Sequence, residues 1–253
     1  MGIKAVLLDI DGVLTIRDRL IEGSPGALKE LRKNFKIALV TNTTRVSSRM
    51  IFERLRNLGF DLEREELFTA LKASREFLLK NKANAYLLVS DMAREEFEGL
   101  EDYPIKYVVV ADAYTNFTYQ NLNTAFRLLL EGAELIAVAP NRYFMDEDGK
   151  LSLDAGPFVK ALEYANGKTA TVIGKPSAEF FGLVLEYLGV KPEEALMVGD
   201  DIEFDILGAQ KVGMKACLVK TGKFRESDLE KGIKPDLLLE NVNELPKALM
   251  EAL

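Results

Sequence analysis

The chain has 253 residues, of which 48% are hydrophobic and 29% charged, a composition typical of a folded protein with a large buried core. Its formal net charge of −7 disfavours binding to nucleic acid or to anionic membrane surfaces. It contains no histidine, which excludes Ser-His-Asp triads, phosphohistidine enzymes and zinc sites with histidine ligands.

Short apolar runs alternate with amphipathic segments along the chain. The apolar runs predict eight strands, at 4–8, 36–41, 85–89, 107–111, 135–139, 170–173, 195–198 and 216–219. The amphipathic segments predict helices at 24–34, 46–58, 118–131, 156–166, 177–188 and 205–212. Alternation of this kind indicates an α/β fold with a mainly parallel sheet.

Four of the predicted strands end in polar residues. These endings are Asp9-Ile10-Asp11-Gly12, Thr41-Asn42, Gly174-Lys175-Pro176 and Gly199-Asp200-Asp201, with Asp205 beyond the last. Active groups of parallel α/β sheets collect at the carboxyl ends of the strands. A cluster of carboxylates at that edge is unfavourable unless a cation neutralises it. Oxygen ligands without histidine or thiolate select a hard ion, and we expect Mg²⁺.

The other polar residues at the strand ends suit a phosphoryl group. Lys175 would place a fixed positive charge near the non-bridging oxygens of a phosphate. Thr41 and Asn42 could donate neutral hydrogen bonds to the same group. The set therefore predicts phosphoryl transfer that depends on positioning and charge neutralisation.

The stretches DIDGVL, VTNTT, IGKP and VGDDIEFD resemble the four motifs of the haloacid dehalogenase-like hydrolase superfamily, over essentially the whole chain. The resemblance implies a Rossmann-like parallel-sheet core and a Mg²⁺-dependent phosphatase. It makes Asp9 the nucleophile that becomes an aspartyl phosphate, and Asp11 the general acid and then the general base. It also implies that Thr41 and Asn42 hold the phosphoryl oxygens, while Lys175 balances charge around the nucleophile.

The same resemblance implies a set of metal ligands. Mg²⁺ would be bound by the Asp9 carboxylate, the Asp11 backbone carbonyl and Asp200. Asp205 would support the metal through water or through contacts with its ligands. Asp201 is interpreted separately, as a carboxylate at the N-terminus of the next helix.

Asn42 and Lys175 are separated by far more chain than one helix and one strand need, and the intervening stretch has its own strand–helix alternation. We therefore expect an inserted α/β cap domain at 72–171 and a catalytic core formed by 1–71 and 172–253. This organisation resembles the type-two-capped branch of the superfamily, near p-nitrophenylphosphatase-like (NagD-like) and phospholysine phosphohistidine inorganic pyrophosphate phosphatase-like proteins. Stretches such as VTNTTRVSSR and GPFVKALEYA carry that resemblance.

In that branch a loop of the cap contacts the part of the substrate beyond the phosphate. The loop expected here is 141–145, directly after a predicted strand. Arg142 could bind a second anionic group, and Tyr143 and Phe144 could stack on an aromatic leaving group. Packing within the cap is the alternative for these side chains.

Three other functions compete with a phosphatase. A dehalogenase would not need Asp11 or a metal cluster, so Asp11, Asp200 and Asp205 favour phosphate chemistry. A phosphomutase or phosphotransferase of the same superfamily needs the same acid and base, but phosphomutases usually carry a helical cap between the first two motifs, where this chain has too few residues. A non-catalytic, phosphorylated regulatory protein is disfavoured by Asp11, which would speed loss of the phosphoryl group.

The single Cys217 cannot form an internal disulfide, which suits a reducing cytoplasm. No apolar run is long enough to span a bilayer, and Asp9 and Asp11 interrupt the N-terminal apolar run. We therefore expect a cytoplasmic enzyme that acts on a small phosphorylated molecule, without nucleic-acid or membrane partners. A homodimer is compatible with the sequence, which leaves open the oligomeric state, the substrate and the choice between Mg²⁺ and Mn²⁺.

Overall fold

The structure, a computed structural model, describes residues 2–145, 148 and 150–252. Strands β1 to β14 follow in chain order: Ala5–Asp9, Thr15–Ile16, Arg19–Leu20, Lys36–Thr41, Leu67–Thr69, Asn84–Leu88, Ile105–Val110, Glu134–Ala137, Tyr143–Met145, Leu151–Leu153, Thr171–Val172, Ala195–Gly199, Lys215–Val219 and Leu237–Leu239. Helices α1 to α8 are Ser24–Arg32, Ser48–Asn57, Ala70–Lys80, Tyr119–Leu130, Ala155–Asn166, Ala178–Leu188, Gly208–Lys211 and Leu245–Ala252. A π-helix, Ile202–Leu207, directly precedes α7.

The chain divides into two compact units. The first consists of Met1–Thr41, Phe52–Phe68 and Lys175–Leu253. Its six-stranded sheet has the order β14-β13-β12-β1-β4-β5, and β1 runs parallel to both of its neighbours. Every residue of β1 and β12 is buried, as expected for central strands of a parallel sheet that is covered on both faces.

The register of this sheet brings three strand ends to one edge. Asp9, the last residue of β1, is level with Val40, so Thr41 follows one position later on β4. Leu8 is level with Val198 on the other side, so Asp200 follows directly after the end of β12. The carboxyl edge of the first unit therefore collects polar side chains from consecutive positions on adjacent strands.

The second unit consists of Asn42–Ile51 and Thr69–Gly174. It contains a parallel sheet with the order β11-β8-β7-β6 and an antiparallel hairpin of β9 and β10. Its apolar core includes Val108 and Val110 of β7, Leu135 of β8, Leu129 of α4 and Leu162 of α5. Parallel strands joined by helices account for this unit as they do for the first.

The segment Asn42–Ile51 is bound within the second unit by polar contacts. The Nε of Arg45 donates to Asp112 at 2.8 Å, and the backbone N–H of Ser48 donates to Glu96 at 2.7 Å. The residues that follow the β4 strand end are therefore held by partners more than 40 positions further along the chain. The predicted insertion at 72–171 does not include this segment.

The predicted α/β fold with parallel sheets is confirmed, since each of the eight predicted strands corresponds to an observed one. The chain contains in addition several short strands and the helices α3 and α8, which the patterns did not predict. The helix predicted at 205–212 begins three residues earlier, as the π-helix that leads into α7. No helix in the described part of the chain has both the length and the apolar character that a bilayer crossing requires.

Candidate active site

Lys175 lies between two carboxylates at the carboxyl edge of the first unit's sheet. Its Nζ donates to Oδ1 of Asp9 and to Oδ1 of Asp205, each at 2.7 Å. The three residues are 5%, 7% and 1% exposed, in that order. Buried charges persist only when they are paired, so this ion-pair triad fixes both carboxylates and the ammonium.

Burial and mutual repulsion perturb the pKa values of the cluster. Burial raises the pKa of Asp9 to about 8; Asp205 and Asp200 add to the rise, and Lys175 opposes it. Burial likewise raises the pKa of Asp200 to about 6, with a contribution from Asp205. Burial alone would lower the pKa of Lys175, but the carboxylates of Asp205 and Asp9 outweigh it and raise that pKa. One ammonium thus faces three carboxyl groups, and the cluster favours a further cation.

The carboxylates fit a hard metal ion. One oxygen each from Asp9, Asp200 and Asp205 lies within 4.8 Å of the other two. Oδ1 of Asp200 is buried and has no hydrogen-bond partner among the described residues, whereas its Oδ2 accepts from the backbone N–H of Lys223 at 2.7 Å. A buried carboxylate oxygen without a protein donor is costly unless a cation contacts it. Oxygen donors of this kind suit Mg²⁺.

A loop after β13 shapes the site around Asp200, and the sequence analysis missed it. Gly222 has φ +66, and a Cβ there would lie 2.1 Å from Oδ2 of Asp200. Gly12 has φ +97, and a Cβ there would lie 1.9 Å from the same oxygen. The Thr221 hydroxyl donates to the Gly12 carbonyl and joins the two loops. The available signal was the polar Thr221-Gly222-Lys223 that follows the apolar run of β13, in the same position as the other four strand endings.

Asp11 lies at the margin of the buried cluster. Its side chain is 42% exposed, and its Oδ1 accepts from the Thr15 hydroxyl at 3.1 Å. A guanidinium nitrogen of Arg54 lies 3.6 Å from the same oxygen. A side chain at this margin is accessible to a leaving group or a water molecule that lies outside the buried cluster.

The two residues predicted to hold phosphoryl oxygens occupy different units. Thr41 is 3% exposed at the end of β4 in the first unit. Asn42 belongs to the second unit, where its Oδ1 lies 2.9 Å from the position that a Cβ on Gly174 would take. Their contact with phosphate stays a prediction.

The cap residues singled out by the sequence lie in the second unit. Arg142 and Tyr143 are both exposed, and they line a pocket of about 650 Å³. Phe144 packs differently, since the guanidinium carbon of Arg45 lies 4.4 Å from the centre of its ring. Packing within the second unit thus accounts for Phe144, and a role in selectivity stays a prediction for Arg142 and Tyr143. The apolar part of the pocket lining includes Pro140, Leu153, Pro157, Val159 and Val172.

Two further residues considered in the sequence analysis, Asp201 and Cys217, have structural roles. The side chain of Asp201 accepts hydrogen bonds from the backbone N–H groups of Glu203 and Phe204, at 3.0 and 2.9 Å, and so caps the π-helix as predicted. Burial raises the pKa of the Cys217 thiol to about 12, which keeps it protonated and unreactive at neutral pH.

The parts of the chain that match known protein families include the residues of this site. The sequence model of the haloacid dehalogenase-like hydrolase family matches residues 6–101. A second family model, described as HAD-hydrolase-like, matches residues 172–245. Human haloacid dehalogenase-like hydrolase domain-containing protein 2 is 49% identical over 231 residues, which are 91% of this chain and 89% of that protein. The chain belongs to the haloacid dehalogenase-like hydrolase family. The two matched ranges contain Asp9, Asp11 and Lys175.

Relatives within the family include phosphatases. Human phospholysine phosphohistidine inorganic pyrophosphate phosphatase is 40% identical over 258 residues and matches 99% of this chain and 95% of its own. The p-nitrophenyl phosphatase from Archaeoglobus fulgidus has a TM-score of 0.90 and 27% identity, with 98% of this chain and all of that chain covered. The predicted family is confirmed, and the chain is an enzyme of the phosphate-ester hydrolase type.

Proposed function

We propose that this hydrolase removes the phosphoryl group from a small-molecule phosphate monoester, with Mg²⁺ as cofactor and with an aspartyl phosphate on Asp9 as intermediate. The observation that carries the proposal is the buried contact of Lys175 with both Asp9 and Asp205, beside the unpartnered Oδ1 of Asp200. The phosphatase names of its relatives support a phosphorylated substrate.

The first step forms the covalent intermediate. A carboxylate oxygen of Asp9 attacks phosphorus while the bond from phosphorus to the leaving oxygen breaks. Asp11, in its protonated form, gives its proton to that oxygen, and the alcohol departs. Lys175 keeps the nucleophile fixed at the end of β1 through its 2.7 Å contact, so little reorganisation is needed before attack.

The second step returns the enzyme to its starting state. Asp11, now a carboxylate, takes a proton from water, and the water oxygen attacks phosphorus. The bond between phosphorus and the Asp9 oxygen breaks, which releases inorganic phosphate and restores the Asp9 carboxylate. The same side chain acts as acid and then as base, so each turnover begins and ends with a protonated Asp11.

The metal site follows from the carboxylates. Asp9, Asp200 and the Asp11 backbone carbonyl would hold Mg²⁺, with Asp205 in support. When bound, Mg²⁺ supplies positive charge that stabilises the negative oxygens of the transferring group. Asp205 accepts hydrogen bonds from Lys175 and from the backbone N–H of Asp201, at 2.7 and 3.2 Å, and these partners orient its two oxygens.

The second unit is proposed as the substrate-selecting cap. It carries Arg142 and Tyr143, whereas the first unit carries Asp9, Asp11, Lys175 and the remaining carboxylates of the cluster. We further propose a cytoplasmic location, on the ground of the single buried thiol. Thr41 and Asn42 are proposed to donate to the phosphoryl oxygens.

The experiment is hydrolysis of p-nitrophenyl phosphate with Mg²⁺ and with excess EDTA. Asp9→Asn should abolish turnover. It should also prevent the acid-stable labelling of the protein that a ³²P-labelled phosphate monoester gives with the wild type. Asp11→Asn should lower the rate by about 10²–10⁴-fold. Asp61→Asn serves as the control, because Asp61 is exposed and pairs only with Arg56 among the contacts described. Full activity in EDTA, or in Asp9→Asn, would refute the proposal.

A further inference from the structure

Arg54 joins the loop that carries Asp11 to the hairpin that follows it. One terminal nitrogen of its guanidinium lies 3.6 Å from Oδ1 of Asp11, and the other lies 3.7 Å from Oδ1 of Asp18. Asp18 belongs to the turn between β2 and β3, and its side chain is 93% exposed. Arg54 itself comes from α2 and lies in the first unit, as do both carboxylates.

The Arg54 side chain is partly buried. Its Nε is buried and has no hydrogen-bond partner among the described residues. The side chain as a whole is 34% exposed. Both ion pairs are longer than a direct hydrogen bond and partly exposed, and such pairs contribute little to stability. Replacement of Arg54 is therefore expected to change the free energy of unfolding little.

Two groups approach the same carboxylate oxygen. Thr15 is fully buried, and its hydroxyl donates to Oδ1 of Asp11 at 3.1 Å. Arg54 faces that oxygen from another element, and Asp11 also forms a backbone bridge to Thr15. The Thr15 hydrogen bond and the positive charge of Arg54 thus act on Oδ1 of Asp11 from two different elements, and together they favour one orientation of the carboxyl group. A group that delivers a proton needs such fixing, because a misplacement of about 1 Å can cost a factor of about 10² in rate.

We propose that Arg54 is a positioning residue for Asp11, which orients the carboxyl group for proton delivery to the leaving oxygen. The inference rests on the proposed function, in which Asp11 is the general acid. It assigns to Arg54 no contact with the phosphoryl group and no contact with the metal. Its effect should therefore depend on how much protonation the leaving group needs.

The experiment compares two substrates in wild type, Arg54→Met and Arg54→Lys. The leaving group of p-nitrophenyl phosphate departs as a stabilised anion, whereas that of glycerol 2-phosphate is an alkoxide that must be protonated. Arg54→Met should lower kcat/KM for glycerol 2-phosphate by about 10–100-fold and change kcat/KM for p-nitrophenyl phosphate far less. Arg54→Lys, which keeps the charge, should recover part of the loss.

Arg56→Met is the matched control, since Arg56 lies on the same helix and its only described ion pair, with Asp61, is exposed. It should retain wild-type kcat/KM on both substrates. In an Asp11→Asn background, Arg54→Met should add no further loss on glycerol 2-phosphate. Thermal unfolding of each variant checks that the fold is kept.

The outcomes separate the inference from the proposed function. Equal losses on both substrates, an unchanged rate in Arg54→Met, or a further loss in the Asp11→Asn background would overturn the positioning role while leaving the phosphatase intact. A wild-type protein that hydrolyses neither substrate with Mg²⁺ would refute the proposed function itself.

Discussion

Replacing Lys175 with methionine tests the electrostatics of the site without removing a proposed metal ligand or the proposed nucleophile. Methionine keeps much of the volume of the lysine stem but removes the ammonium that contacts Asp9 and Asp205 at 2.7 Å each. The variant leaves these two carboxyl groups buried and close to each other without a positive partner. Loss of one partner from a buried ion pair typically costs about 3–5 kcal/mol of unfolding free energy.

This cost should be visible in the unfolding temperature. For a chain of this size, 1 kcal/mol corresponds to about 2–4 °C, so Lys175→Met should lower Tm by about 6–20 °C in EDTA at pH 8. Lys4→Met is the control, because Lys4 forms a 2.6 Å ion pair with Glu194 but is 64% exposed. Pairs of that kind contribute about 0.2–1 kcal/mol, so the control should lose only a few degrees.

The pKa of Asp9 predicts how the Tm difference between wild type and Lys175→Met depends on pH. The folded-state pKa of Asp9 is about 8, above its ordinary value of 3.8, and lysine is a partner that lowers it. Without the lysine this pKa rises further. A carboxyl group with a raised folded-state pKa destabilises the fold progressively as pH rises from its unfolded-state pKa to its folded-state pKa, and no further above that value. The wild type therefore stops losing stability near pH 8, whereas Lys175→Met continues to lose it at higher pH, so the Tm difference between the two should be larger at about pH 9.5 than at pH 5. A larger difference at pH 5, or none at either pH, would refute this account of the site.

Three other predictions concern the metal, the loop after β13 and the cap. The increase in Tm when EDTA is replaced by Mg²⁺ should be larger at pH 8 than at pH 5. The pKa of Asp9 without metal is raised to about 8, so protons compete with the metal at lower pH. An equal increase at both pH values would contradict this prediction. Gly222→Ala should weaken Mg²⁺ binding by about 10–100-fold by displacing Asp200, as measured by Mg²⁺ titration. Gly232→Ala is its control, since Gly232 also has a positive φ, +76, but has no atom within 4 Å of an added Cβ; equal effects would make strain the cause. Arg142→Ala should lower kcat/KM for a doubly anionic phosphate about tenfold more than for a singly anionic one; proportionate losses would assign it a structural role.

The core of the fold was predictable because its strands are continuous apolar runs. β4 was predicted with its observed bounds, 36–41, since a polar residue ends the run at each side. The three-residue strands β5, β9, β10 and β14 are too short to show a period. α3 follows β5 without a break, and its N-cap, Thr69, is also the last residue of that strand. The sequence therefore shows no boundary between this strand and the helix that follows it.

Site residues that directly follow a strand could be predicted from the sequence. Those that depend on contact between distant loops could not. Asp9, Lys175 and Asp205 were named from their positions after apolar runs, but their pairing through one ammonium depends on the tertiary structure. Gly222 was not predicted because glycine is common in turns. This position requires a glycine only because Asp200 lies so close to it in the folded chain.

The division of the chain into segments has a consequence for synthesis on the ribosome. Asp9, the proposed nucleophile, lies on β1, but one of the two strands that flank β1 is β12, which begins at Ala195. The six-stranded sheet therefore cannot form around β1 until the last quarter of the chain has been synthesised, whereas all segments of the second unit have been made by Gly174. We expect nascent chains to acquire the second unit early and the catalytic carboxylate cluster last. Chains that terminate before Ala195 would expose an unpaired apolar strand and be recognised as unfolded.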